Sequence, residues 1–476
     1  MDRVRPQQRR AIAWFRRDLR VTDNRMLEAA THDADRVWPV FVADPELLER
    51  HAAATGRLAW FAANLGALDL TLTGAGSGLT VLAGEPEVVL RDFAGRIGAD
   101  AVFAAADEDP MAAARDARVA ARLRLRLVDD QRILPPGEIV TAAGDAYTVF
   151  TPFRRALDAR VEERADLVTA AAEARLDRLA RRPSDAAGPE AFVAPASPHA
   201  LPEAGETAAA GRLRGFLREG ITGYREERDL PGPGTTSHLS PYLRVGAISI
   251  RACWRAARNA ASRARERGDA RMAQGAATWR GELAWREFFA HVLAAHPRLA
   301  TESFRREYDA IEWESGAAAD DLLDAWRAGR TGFPLVDAGM RQLVATGWMH
   351  NRARLVTASF LVKDAGLDWR RGASVFAEHL LDADVQQNEG NWQWVAGVGT
   401  DAAPYFRIFN PTLQGKRFDP DGSYVRRWVP ELAAVPDQHI HEPWRTARGP
   451  RDYPPPILDH AEARQRTLAR YRAAVS

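Results

Sequence analysis

The stretch Ala11-Ile12-Ala13-Trp14-Phe15-Arg16-Arg17-Asp18-Leu19-Arg20 decides how the chain around it is organised. Five apolar residues in a row suit a strand buried on both faces, and the run ends abruptly in charge. Similar apolar runs follow at 36–42, 80–83 and 101–105, and between them 56–72 and 85–97 carry their apolar residues at helical spacing. Pro86 falls near the start of the second of these helices. Strand–helix alternation at this interval predicts a doubly wound parallel sheet with helices on both faces. The segment has no GxGxxG pattern, and the glycine-rich 74–78 is not followed by a lysine, so neither a dinucleotide fingerprint nor a phosphate loop is present.

Beyond the sheet the texture changes. Pro135-Pro136-Gly137 breaks the pattern, and 181–201 is rich in proline, alanine and serine, as expected of a long connector with helical pieces in 153–179. From 207 to about 397 the pattern is mostly helical, and a proline-rich tail leads to a last helix at 459–472. The fold class is therefore α/β plus all-α: an α/β domain over 1–134, a connector over 135–205 and an all-helical domain over 206–476.

Composition sets limits on function. Of 476 residues, 46% are hydrophobic and 27% charged, which excludes disorder, collagen and a disulfide scaffold. The single cysteine, Cys253, excludes a disulfide within the chain and fits a reducing compartment. No apolar run is long enough for a membrane span, and 11–15 is too short for a signal-peptide core, so a cytoplasmic protein without a membrane partner is expected. The 65 basic residues, all arginine except Lys363 and Lys416, nearly balance 64 acidic ones. That balance argues against a protein that coats nucleic acid. The first 200 residues carry about −3 and the remainder about +4, so an anionic partner should meet the helical part. Fourteen tryptophans against eight tyrosines call for an explanation.

HExxH, CxxC and GxSxG are absent, so metal-dependent and triad hydrolysis lack their parts. The turn Gly232-Pro233-Gly234-Thr235-Thr236-Ser237-His238-Leu239-Ser240-Pro241 offers hydroxyls and free N–H groups before a helix, a combination that suits a phosphate; taken alone it reads as an ordinary N-cap. Trp279, Glu282, Trp285 and Arg286 fall at helical spacing on one face, where indoles could stack on flat rings while the charges bond ring edges. Asn351 and Arg354 share a face, as do Asn388 and Trp392. Asp382 and Asp384 lack a third metal ligand nearby and suit arginine partners or a cofactor's edge, while His350 reads as structural.

Together these residues resemble the photolyase/cryptochrome flavoproteins, and most of all the bacterial cyclobutane pyrimidine dimer (CPD) DNA photolyases. The resemblance runs from Trp14–Arg20 with Asp23-Asn24 to Ala403-Pro404-Tyr405-Phe406-Arg407-Ile408-Phe409-Asn410-Pro411. It implies an antenna domain followed by a helical domain holding U-shaped FAD, active as FADH⁻. By motif, Tyr224, Thr236, Ser237, Leu239 and Ser240 match the phosphate-side contacts, reversing the capping interpretation of the turn. Arg354 and Asp382 match the ion pair over the flavin, and Asp384 an acceptor from the ring and ribose region. Asn388 matches the residue facing N5, and the resemblance implies Trp279, Glu282, Arg286 and Asn351 as further cofactor contacts. Glu282, Asn351, Trp285 and Trp394 match the lesion pocket, Leu355 a lesion contact that is methionine in many relatives, and Arg352 and Arg407 the flanking phosphate contacts. Trp392, Trp369 and Trp313 match an electron relay from flavin to surface.

The implied reaction is light-driven electron transfer from FADH⁻ to a dimer flipped out of UV-damaged DNA, by a monomer with no obligate protein partner. Glu282, Asn388 and the three relay tryptophans would be its catalytic residues. Asp107-Glu108-Asp109-Pro110 resembles the segment near an antenna pigment, with methenyltetrahydrofolate and 8-hydroxy-deazaflavin both open. The alternatives are a cryptochrome-type blue-light photoreceptor and a (6-4) photolyase, the latter disfavoured because His350-Asn351 does not reproduce its paired histidines.

Overall fold

A computed structural model describes residues 9–164, 168, 170–401, 404, 407–446 and 449–475. The predicted sheet is present. Strands β1 (Arg10–Phe15), β2 (Arg36–Ala43), β3 (Thr80–Ala83), β4 (Ala101–Ala105) and β5 (Leu125–Val128) are all parallel, in the order β3-β2-β1-β4-β5. The sequence reading lacked β5. Its four residues, Leu-Arg-Leu-Val, lie at an edge and are only partly buried, so no continuous apolar run marks them.

Successive side chains of β1 point to opposite faces, and the two sets enter different cores. Ile12 and Trp14 pack with Val40, Val102, Leu90 and Phe93, the last two from the helix Pro86–Ile97. Ala11, Ala13 and Phe15 face the helices Arg25–Asp33 and Thr55–Gly74. That second core does not stop at the sheet. It continues through Phe150, Phe153 and Leu157 of the helix Phe150–Glu163 to Trp254, Trp279 and Phe288 on the helices Ile250–Glu266 and Ala270–Ala295. A further core, around Trp326, Phe360, Trp369 and Trp392, fills the remainder of the helical region.

Polar bonds fix the seam between sheet and helices. Arg251, fully buried, donates to Asp130 Oδ1 and the Asp23 carbonyl at 2.8 Å each, and to the Asp130 and Arg132 carbonyls. Glu287 accepts from the amides of Ile133 and Leu134, and Arg57 donates to the carbonyls of Ala377 and Leu380. Gly246 has φ +72°, and a Cβ there would sit 2.0 Å from the Arg17 carbonyl oxygen. Only glycine permits both the conformation and the approach. Strand order reverses between β1 and β4, so Arg16, Arg17 and Asp107 sit at the strand ends where α/β sheets open a crevice.

Candidate active site

The helices Asn351–Ser359, Trp369–His379 and Val385–Ala396 surround a cavity of about 520 Å³. Asn351, Arg354, Leu355, Asp382, Asp384, Asn388 and Trp392 all line it, so seven of the sequence-derived residues share one space. Helical spacing accounts for the clustering: positions three or four apart fall on one face.

Arg354 donates from NH2 to Asp382 Oδ2 at 2.8 Å, and its Nε is held by the Met349 carbonyl at 2.8 Å. Asp382 Oδ1 is buried without a partner, and so is Asp384 Oδ1. Asp384 stands at the N-cap of Val385–Ala396 but makes no capping bond. Its Oδ2 instead accepts from Arg17 at 2.7 Å and Arg286 at 2.9 Å. Burial pushes its pKa up, but the charges of Arg17, Arg244 and Arg286 outweigh burial and hold it below the usual carboxylate range.

Asn388 is oriented by its neighbours. Its Nδ2 donates to the Ala373 carbonyl and to Glu389 Oε1, both at 3.0 Å, and these two acceptors require the amide nitrogen on their side. The amide oxygen is thereby turned to other use. Burial raises the pKa of Glu389 to about 7, against the lowering effect of the Asn388 bond.

In the phosphate-side turn, Thr235 Oγ1 and Thr236 Oγ1 are buried and unpartnered, and Ser237 Oγ accepts from the Leu239 amide at 3.4 Å. The helix Ser240–Val245 begins after Leu239, with no side-chain cap, so the hydroxyls are not consumed by capping. Tyr224 and Leu239 are buried, and Ser240 is half-buried. His350 caps Asn351–Ser359, its Nδ1 accepting from the Arg352 amide at 3.1 Å, while its Nε2 is buried without a partner.

The face expected for Trp279, Glu282, Trp285 and Arg286 divides. Trp285 lies six residues beyond Trp279, a rotation of about 240°, and the two rings enter different surroundings. Trp279 is buried edge-on to Phe216, with centroids 5.0 Å apart, whereas Trp285 stacks on Phe150 at 3.7 Å and 8°. Glu282 accepts from Arg228 at 2.5 Å; burial raises its pKa despite that bond. Arg352 pairs with Asp229 at 3.0 Å and lies 4.1 Å over Phe418, so its charge is already partnered. Trp394 is half-buried and Arg407 exposed; Ala403, Tyr405 and Phe406 lie outside the described residues.

For the relay, Trp392 and Trp369 are buried on helices that pack together, and Trp313 is half-buried with its ring 6.2 Å from Tyr471. Trp392 is edged by Phe376 at 5.0 Å and Trp326 at 6.2 Å. Gly372 makes room for its ring, since a Cβ there would come within 2.2 Å.

A second cavity, of about 1000 Å³, opens at the strand ends between sheet and helices. Trp14, Phe41, Phe61 and Phe192 give it aromatic walls, and Asp107 and Asp109 face it. Glu108 turns away to pair with Arg132. Among the described residues no group of three or more His, Cys, Asp or Glu could hold a metal, and no helix is long and apolar enough to cross a membrane.

Comparison with known proteins bears directly on this arrangement. Residues 11–173 match the family described as DNA photolyase, and 279–473 match the FAD binding domain of DNA photolyase. The chain belongs to the DNA photolyase family. It is 38% identical to a deoxyribodipyrimidine photo-lyase of Escherichia coli K12 over 97% of this chain and 98% of that one. A class III photolyase from Agrobacterium tumefaciens superposes with TM-score 0.88 at 35% identity, covering 99% of each chain. An archaeal photolyase from Sulfolobus tokodaii with two FAD molecules gives TM-score 0.82 at 30% identity, covering 98% of this chain and all of that one.

In this member of the photolyase family, sequence reasoning missed Arg17, Phe150, Arg228, Asp229, Trp326 and Glu389. Arg17 stands in the opening stretch without an assigned role, and Glu389 is only an acid between Asn388 and Trp392. The others act on partners distant in sequence.

Proposed function

We propose that this chain is a light-driven CPD photolyase that binds FAD in the 520 Å³ cavity and repairs pyrimidine dimers in UV-damaged DNA. The observation that carries this reading is a set of buried, unpartnered oxygens: Asp382 Oδ1 and Asp384 Oδ1 on residues that line the cavity, with the Thr235 and Thr236 hydroxyls in the phosphate-side turn. Buried polar groups without partners are costly, and a flavin nucleotide, with N–H and hydroxyl edges and a pyrophosphate, fits this mixture of acceptors and hydroxyls. When bound, the flavin supplies the photochemistry.

The chain's own residues place and tune it. Asp382 and Asp384 accept from the ring and ribose side, and Arg354 holds the Asp382 carboxylate in place. Asn388 presents its oxygen, an acceptor that suits the N–H of reduced flavin. Trp285, braced from behind by Phe150, and Trp394 form walls for a flipped-out dimer, with Glu282 at its carbonyl edge. Flipping is favoured because damage has already weakened stacking and pairing. Arg407 takes a flanking phosphate, and Arg352 takes the other by exchanging its Asp229 partner for it. Trp392, Trp369 and Trp313 carry electrons between flavin and surface. The second cavity takes an antenna pigment, and its Arg57 and Arg244, which donate to carbonyls rather than to carboxylates, favour an anionic one. The enzyme acts as a cytoplasmic monomer.

Purified protein should show flavin absorption and, once reduced, convert a dimer-containing oligonucleotide under blue light but not in darkness. A flavin-loaded protein that leaves the dimer intact would sink the assignment. Trp285→Ala should weaken binding to dimer-containing DNA about tenfold while changing undamaged-DNA binding little. Equal losses on both would make Trp285 a packing residue.

A further inference from the structure

One side chain stands between the two cavities. Arg17 lines the cavity at the strand ends, and Asp384 lines the cofactor cavity. The guanidinium reaches both sides: NH2 donates to Asp384 Oδ2 at 2.7 Å, and NH1 lies 3.2 and 3.3 Å from the two oxygens of Asp107. All three groups are sheltered, with side chains 12%, 0% and 6% exposed for Arg17, Asp384 and Asp107. Sheltered charges are little screened by salt. Arg286 holds Asp384 independently at 2.9 Å, and Asp384 Oδ1 faces no protein partner.

We propose that Arg17 is a positioning residue that couples the two cavities, dividing one positive charge between Asp107 and Asp384 and so setting how much negative charge meets the flavin. The proposal rests on the reading of the cofactor cavity given above. Reduction of FAD to FADH⁻ takes two electrons and one proton, so the product carries one more negative charge than the oxidised form. Removing the Asp107 charge leaves Arg17 wholly to Asp384, makes the surroundings more positive and favours FADH⁻. Removing the Arg17 charge leaves Asp384 less compensated and disfavours it. The two changes act on one shared guanidinium and oppose each other in sign, a result that looser packing alone would not produce.

The experiment uses full-length protein loaded with FAD, equilibrated with dithionite and a reference dye of known potential. At a fixed poise near the parent's midpoint, Asp107→Asn should raise the ratio of reduced to oxidised flavin several-fold. Arg17→Gln should lower it several-fold, and Arg17→Lys, which restores the charge, should lie near the parent. Shifts of the same sign in Asp107→Asn and Arg17→Gln, or no shift in either, would overturn the coupling while leaving the flavin site intact. A parent that takes up no FAD would overturn the cofactor reading and the coupling with it.

Discussion

At the scale of single residues, the site works by committing polar atoms in advance. Asn388 spends its nitrogen on Ala373 and Glu389, so what it offers the cavity is an acceptor. Asp384 forgoes capping its own helix, the usual employment of an aspartate at that position, and is held by two guanidiniums instead. Trp392 lines the cofactor cavity and is nearly fully buried, with Phe376 and Trp326 at its edges. Trp392→Phe should therefore slow light-driven reduction of oxidised flavin at least tenfold, read as the loss of oxidised-flavin absorbance under blue light with an external donor. Repair by enzyme reduced beforehand with dithionite should stay within about twofold of the parent. Equal photoreduction rates in variant and parent would remove Trp392 from the relay. Asn388, Arg354 and Asp382 were legible in sequence because helical spacing and motif place them on known faces. Arg17 was not legible as a partner of Asp384, because the two are 367 residues apart and nothing local links them.

At the scale of elements, the short helix Ser240–Val245 is fixed at both ends. Trp60 Nε1 donates to the Pro241 carbonyl at 3.2 Å, and Val245 accepts from the Leu19 amide at 3.1 Å. Gly246 then turns with φ +72° directly against the Arg17 carbonyl. Gly246→Ala should lower the unfolding free energy by about 2 kcal/mol or more, because the added methyl meets backbone and a left-handed conformation at once. Urea denaturation of the apoprotein reads this, and a neutral result would show that the seam can part without cost. The sequence signalled most elements through apolar periodicity. It failed at β5, where arginine interrupts a four-residue edge strand. It failed also at the 279–286 face, where even spacing hid the divergence of Trp279 and Trp285 into separate walls.

At the scale of the whole molecule, sheet and helices share a core and a buried ionic seam. Burial pushes the Asp23 pKa up, but Arg251, Ser249 and Arg255 outweigh burial and hold it well below the ordinary value. A carboxylate depressed in this way contributes stability that is fully present above its unfolded pKa near 4 and is lost as pH falls through the native value. Asp23→Asn should thus cost about 2 kcal/mol at pH 7, because it removes the carboxylate that faces Arg255 at 2.7 Å and Arg251 at 3.4 Å, while Arg251 keeps Asp130. The gap between variant and parent should narrow when urea curves are repeated near pH 3; a constant gap would show that the charge of Asp23 is not what stabilises the seam. The sequence by itself determined the parallel sheet and the helical region, because periodicity is a local property, and the family resemblance picked out seven residues that line one cavity. The tertiary structure decided which charges meet: Arg17 with Asp384 and Asp107, Arg251 with Asp23 and Asp130, Arg352 with Asp229. In a chain with 63 arginines the sequence offers nearly every carboxylate many partners, and only the packing of one core across both regions selects among them.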